Sequence, residues 1–69
     1  MKTQEQLTFE DVRYINAVMC NDEYSSDEEL INLFKIELNI SEELAKRIVS
    51  FRNKAFVEID FDIQCYLQK

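Results

Sequence analysis

The chain has 69 residues, eight of them basic and fourteen acidic, and it contains no histidine, glycine, proline or tryptophan. That length holds one small domain, residues 1–69, whose folding removes only about 60% of the unfolded surface from water. Without glycine there is no phosphate-cradling Walker or dinucleotide loop, and without histidine the usual neutral-pH base and the commonest zinc ligand are missing.

In chain order, residues 1–8 are polar apart from Leu7 and read as a loose lead-in. Thr8 caps a first helix over about 9–20, on which Phe9, Val12, Ile15, Val18 and Met19 share one side of a 3.6-residue wheel. Residues 21–29 then hold five acids and no base. Ser26 and Glu29 have capping-box spacing and open a second helix over about 27–38. Its apolar arc is broad, with Leu30, Ile31, Leu33, Phe34 and Leu38 central and Ile36 to one side, a breadth that implies contact on two sides. Asn39-Ile40-Ser41 breaks the chain briefly, and Ser41 caps a third helix over about 42–55. There Leu44, Ala45, Ile48, Val49, Phe51 and Ala55 face inward, opposite Lys46, Arg47, Ser50, Asn53 and Lys54.

From Val57 the period changes. Val57, Ile59, Phe61, Ile63, Cys65 and Leu67 alternate with polar residues and Tyr66, so extended backbone puts all six on one face. The expected fold is therefore mainly α, a small three-helix bundle with one C-terminal β-strand over about 57–67, and α+β if that strand is paired. A lone strand leaves its backbone donors and acceptors unpaired, and no second alternating run exists. Val57, Ile59, Phe61 and Ile63 are the candidate pairing residues. Their partner is either residues 3–9, a second copy in a homodimer, or the sheet edge of a target; a tertiary override into helix is the remaining alternative.

The run LNISEELAKRIVSFRNKAF, Leu38 to Phe56, contains ISEELAKRIVSFRNK, which resembles the second half of the helix-hairpin-helix module of DNA-uptake and repair proteins. In that family a glycine–hydrophobic–glycine hairpin holds a phosphate with its exposed amides. Asn39-Ile40-Ser41 keeps the central hydrophobe and lacks both glycines. The resemblance implies a helical hairpin and supplies a second functional reading, a nucleic-acid-binding regulator acting as a strand-paired dimer through Lys46 and Arg47. The net charge of −6 opposes direct nucleic-acid binding.

Acids are the more prominent surface signal. Asp22, Glu23, Asp27 and Glu28, with Glu58, Asp60 and Asp62 on the polar side of the last segment, form a candidate acidic face. A helix N-terminus attracts carboxylates by its dipole alone, which accounts for Asp27 and Glu28 better than for Asp22 and Glu23. Arg52 lies toward the middle of the apolar face of its helix, within reach of residues 22–29 in a hairpin. It is either a structural ion pair or a partner-facing anchor. Cys20 and Cys65, separated by 44 residues, make no metal-ligand spacing and are expected as small buried hydrophobes.

These features predict no catalysis, no cofactor and no metal. The leading expectation is a small acidic protein that binds a protein partner, such as a nucleic-acid-handling enzyme with a basic groove, and regulates or inhibits it. Tiny acidic inhibitors of phages and mobile elements, anti-restriction and anti-CRISPR proteins among them, are of this kind; that comparison rests on size and charge. A structural subunit completing a partner's sheet is a further alternative. No run is apolar enough to span a bilayer and residues 1–20 lack a secretory apolar block, so a cytoplasmic protein without membrane contact is expected.

Overall fold

The computed structural model describes residues 1–22 and 24–67. It contains α1 (Phe9–Asn21), α2 (Asp27–Leu38), α3 (Glu42–Val49), α4 (Arg52–Val57) and α5 (Ile63–Leu67), preceded by a 3-10 turn at Gln4–Gln6. The first three helices begin where short polar side chains replace the missing intrahelical acceptors. Thr8 Oγ1 accepts from the Asp11 amide at 3.1 Å, and the Asp11 carboxylate accepts from the Thr8 amide at 3.0 Å. Ser26 and Glu29 repeat that reciprocal pattern, and Ser41 Oγ accepts from the Leu44 amide at 3.2 Å. Each such cap stabilises its helix by about 1 kcal/mol. With no glycine in the chain, Asn39 takes the left-handed position that ends α2, at φ 52° and ψ 52°, as asparagine tolerates this region better than most residues.

The helices form two groups. α2 packs on α3, and α1 packs on α4 and α5. Between the groups lies one core, in which Ile15 and Met19 of α1, Leu30 and Phe34 of α2, Ile48 of α3 and Ile63 of α5 have no solvent exposure. Tyr14 and Phe34 meet edge to face across it, with ring centroids 6.2 Å apart.

The C-terminal third departs from expectation twice. The third helix is not continuous to residue 55; it stops at Val49, turns at Ser50–Phe51 and resumes as α4. The Phe51 amide bonds back to the Ile48 carbonyl, three residues earlier, and the Ser50 hydroxyl donates to the Arg47 carbonyl. This bend sends α4 onto α1 and leaves the Phe51 ring 5.0 Å from that of Tyr66.

The expected strand over 57–67 does not form, and no strand is found among the described residues; an isolated bridge joins Lys2 and Ile40. Val57 closes α4, residues 58–62 connect, and α5 follows. Phe61, Ile63 and Leu67 are buried, whereas Val57, Ile59 and Cys65 face solvent. The physical reason is backbone hydrogen bonding. A helical turn satisfies its own amides, whereas a lone strand requires a partner that this chain does not supply. Neighbouring side chains start the turn: Asn16 Oδ1 accepts from the Ile63 amide at 2.8 Å, and Asp62 Oδ1 from the Gln64 amide at 3.0 Å. Val57, Ile59, Phe61 and Ile63, the candidate pairing residues, therefore lie on no strand here. The C-terminal strand, and with it the α+β form of the expected fold, is not supported.

Two smaller expectations also change. The N-terminal residues are docked: the Lys2 amide donates to the Asn39 carbonyl at 2.8 Å, and Lys2 Nζ lies 2.8 Å from Asp11 Oδ2. Both cysteines are exposed free thiols, because Cys20 and Cys65 occupy the outward sides of α1 and α5. Among the described residues, no helix is long and apolar enough to cross a membrane.

Candidate functional site

Cations and acids are distributed differently. Among the described residues, Lys2 pairs with Asp11, Lys35 and Lys46 both approach Glu42 at 3.8 Å, and Arg52 pairs with Asp27. Arg47 donates to Gln4 Oε1 at 3.0 Å and to the Leu67 carbonyl at 3.1 Å, joining the two ends of the described chain. Arg13 lies over the Phe9 ring, 5.9 Å from its centroid. Most cations thus bind the protein's own surface. By contrast, Glu28, Glu37 and Asp60 are exposed and enter no ion pair among the described residues.

Arg52 is the most enclosed of the ion-paired side chains among the described residues. Its side chain is 13% exposed, with Nη1 at 3.1 Å from Asp27 Oδ1 and Nη2 at 3.2 Å from the Asp22 carbonyl. The Phe56 ring, one turn later on α4, lies 5.5 Å from the guanidinium carbon. Arg52 therefore joins the end of α1, the start of α2 and the start of α4, and it faces inward at this junction.

The seven candidate acids divide by role. Asp22 organises the loop after α1: its carboxylate accepts from the Ser25 hydroxyl at 2.7 Å and from the amides of Ser25 and Tyr24. Those bonds, led by the Ser25 hydroxyl, hold Asp22 below the ordinary carboxylate range. Asp27 bonds Arg52, and Asp62 accepts from Asn16 and from the start of α5. Glu58 accepts from the Tyr66 hydroxyl, which raises the Tyr66 pKa. Glu28 and Asp60 point to solvent, and Glu23 lies outside the described residues. Asp22 and Asp62 both attach to the C-terminal half of α1, Asp62 through Asn16, about 9 Å along the axis from Asp22.

A feature that the sequence pattern concealed lies beside Glu58 and Asp60. Val57 is 76% exposed and Ile59 fully exposed, so two β-branched side chains project between carboxylates. Nearby, Tyr66 stacks on Phe61 at 5.5 Å and meets Phe51 at a tilt, 5.0 Å away. The alternating residues were visible in the sequence. That half of the apolar ones face outward was not.

α2 and α3 form a helical hairpin through residues 39–41, with Asn39 left-handed and Ile40 buried. Its chemistry points away from phosphate. Glu42 and Glu43 occupy the first turn of α3, Ser41 caps it, and the Asn39 carbonyl already accepts from Lys2. An anion approaching the α3 amides meets two carboxylates first. No protein-family model, curated protein or solved structure matches this chain.

Proposed function

We propose that this chain is a non-catalytic binding protein that regulates or inhibits a basic macromolecular partner by direct contact. The observation that carries this reading is the charge partition: Lys2, Arg47 and Arg52 bond the protein's own carboxylates, carbonyls and a side-chain amide, Lys35 and Lys46 lie 3.8 Å from Glu42, and Glu28, Glu37 and Asp60 are exposed with no ion pair among the described residues. Such a surface steers a basic partner and rejects phosphate. Exposed Val57 and Ile59 supply apolar anchors beside Glu58 and Asp60, an arrangement suited to an apolar socket with a basic rim. A nucleic-acid-handling enzyme offers such a rim in the groove that holds its substrate backbone, so an inhibitor of the anti-restriction or anti-CRISPR kind fits the chemistry.

The test is capture of a partner from the lysate of the native cells on immobilised protein, at about 0.05 M and about 0.5 M salt. Retention is expected to fall with salt, and to fall again for Asp60→Lys and Ile59→Ser at low salt. Capture that is indifferent to salt and to both substitutions refutes the reading.

A further inference from the structure

We infer that residues 1–7 form a clasp that opens as a unit while the bundle stays folded, and whose opening loosens the last turn of α5. The arm is tied at two points. Near its start the Lys2 amide donates to the Asn39 carbonyl at 2.8 Å and Lys2 Nζ reaches Asp11 Oδ2 at 2.8 Å, which joins the α2–α3 turn to the start of α1. Farther along, the Gln4 side-chain amide donates to the Leu67 carbonyl and accepts from Arg47 Nη1 at 3.0 Å, while Arg47 Nη2 donates to the same carbonyl at 3.1 Å. Three groups thus close a ring of bonds between the arm, α3 and the end of α5.

Those ties are polar, and little apolar packing supports them. No residue of 1–7 is buried. Of the arm's two apolar residues, Met1 is 84% exposed and Leu7 packs only partly against the core. Open hollows flank the arm. One of about 280 Å³ lies between it and α1 and α5, lined by Glu5, Leu7, Val12 and Gln64 among others. The other, about 380 Å³, lies between it and the start of α3, lined by Lys2, Thr3, Ser41 and Leu44 among others. A segment beside a hollow forfeits the dispersion contacts that a packed one makes on that side.

The bundle keeps its shape without the arm. Its buried apolar residues all lie from Val12 onward. Thr8 and Asp11 cap α1 between themselves, and Asn16 Oδ1 holds the start of α5 through the Ile63 amide. The arm is also a chain end, so its release drags no second segment with it. The far end of α5 alone depends on it. Leu67 lines the first hollow, and its carbonyl loses the Gln4 donor when the arm lifts, while its buried side chain keeps the helix docked. Tyr66, the preceding residue, donates to Glu58. The clasp is therefore in line with the exposed 57–60 segment, to which the proposed function assigns partner contact.

The test is amide hydrogen exchange in the whole chain, followed by NMR at several urea concentrations below the melt. No partner takes part, so the outcome is independent of the proposed function. The Lys2 and Leu7 amides are expected to share one protection factor, at least about tenfold below those of Met19 and Phe34, and to be indifferent to urea because the opening exposes little surface. The double variant Lys2→Ala/Gln4→Ala removes the side-chain ties. It should speed exchange at Leu7 and Leu67 at least about threefold and leave the Ser25 amide, bonded to Asp22 in the α1–α2 loop, within about twofold. Closure stabilises the whole fold by the ratio of closed to open arms, so Met19 and Phe34 should lose no more protection than the wild-type arm possesses. Arm amides as protected as Met19 and Phe34, with the same urea slope, would make the arm part of the cooperative core and overturn the inference. Protection at Lys2 and Leu7 more than about fivefold apart, unchanged exchange at Leu67, or a core loss larger than the arm's own protection would overturn it as well.

Discussion

Arg52 offers the sharpest test of how the small core is assembled. Its guanidinium reaches an exposed carboxylate, Asp27, which is 72% accessible, and a backbone carbonyl, that of Asp22. The stem is enclosed, the Phe56 ring lies 5.5 Å away, and Nε is buried without a partner. An ion pair with one end in water contributes only about 0.2–1 kcal/mol. The bond from a charged donor to a carbonyl contributes about 1.5–3 kcal/mol, and the ring contact about 0.5–1 kcal/mol. Desolvation of the guanidinium and the orphaned Nε offset part of this. Arg52→Ala, which also loses the packed stem, should therefore cost about 2 kcal/mol net. Arg52→Met keeps the stem and should cost about half as much, about 1 kcal/mol. Asp27→Asn removes only the screened pair and should cost under about 0.5 kcal/mol. In a domain of this size 1 kcal/mol moves Tm by about 4–8 °C, so thermal and urea melts followed by far-UV circular dichroism resolve the three. Equal losses for Asp27→Asn and Arg52→Ala would show that the ion pair, rather than the carbonyl anchor and the packed stem, holds the junction, and would refute this ordering.

Two further outcomes check the C-terminal helix and the N-terminal cap. Ile63→Ala empties a fully buried position and should cost about 2–4 kcal/mol, whereas Ile59→Ala at full exposure should stay within about 0.5 kcal/mol; similar urea midpoints for the pair would restore a common strand face. Asp11 is held below its ordinary 3.8, first by its bond from Lys2 and then by the Thr8 amide. A carboxylate lowered in the folded state stabilises fully above the unfolded value and loses that contribution as pH falls through the folded one. Between pH about 5 and about 2, the stability of Asp11→Asn should therefore decline less steeply than that of the wild type, and parallel slopes would contradict the assignment.

What the sequence discloses here depends on whether a signal is local. Thr8, Ser26 and Ser41 each act on an amide three residues ahead, so the starts of α1, α2 and α3 are legible from spacing alone. The break at Ser50–Phe51 is less local, because the bend is tied to Phe51 meeting Tyr66 from α5. The alternation from Val57 to Leu67 misleads for a related reason. Ile63 and Leu67 are two steps of a strand pattern and also one turn of a helix, so the same pair serves either period. What decides is the absence of a second strand, together with Asn16, 47 residues away in sequence, standing ready to accept the Ile63 amide. Tyr14, Val18 and Leu33 present the opposite problem. On a helical wheel they are indistinguishable from Ile15, Met19 and Phe34, because periodicity identifies an apolar side and says nothing of what covers it. In the fold all three pack against the core while staying partly exposed, Tyr14 meeting Phe34 edge to face. Ile36, off the tightest arc of its helix, is 78% exposed: an apolar residue for which the fold within this chain has no use.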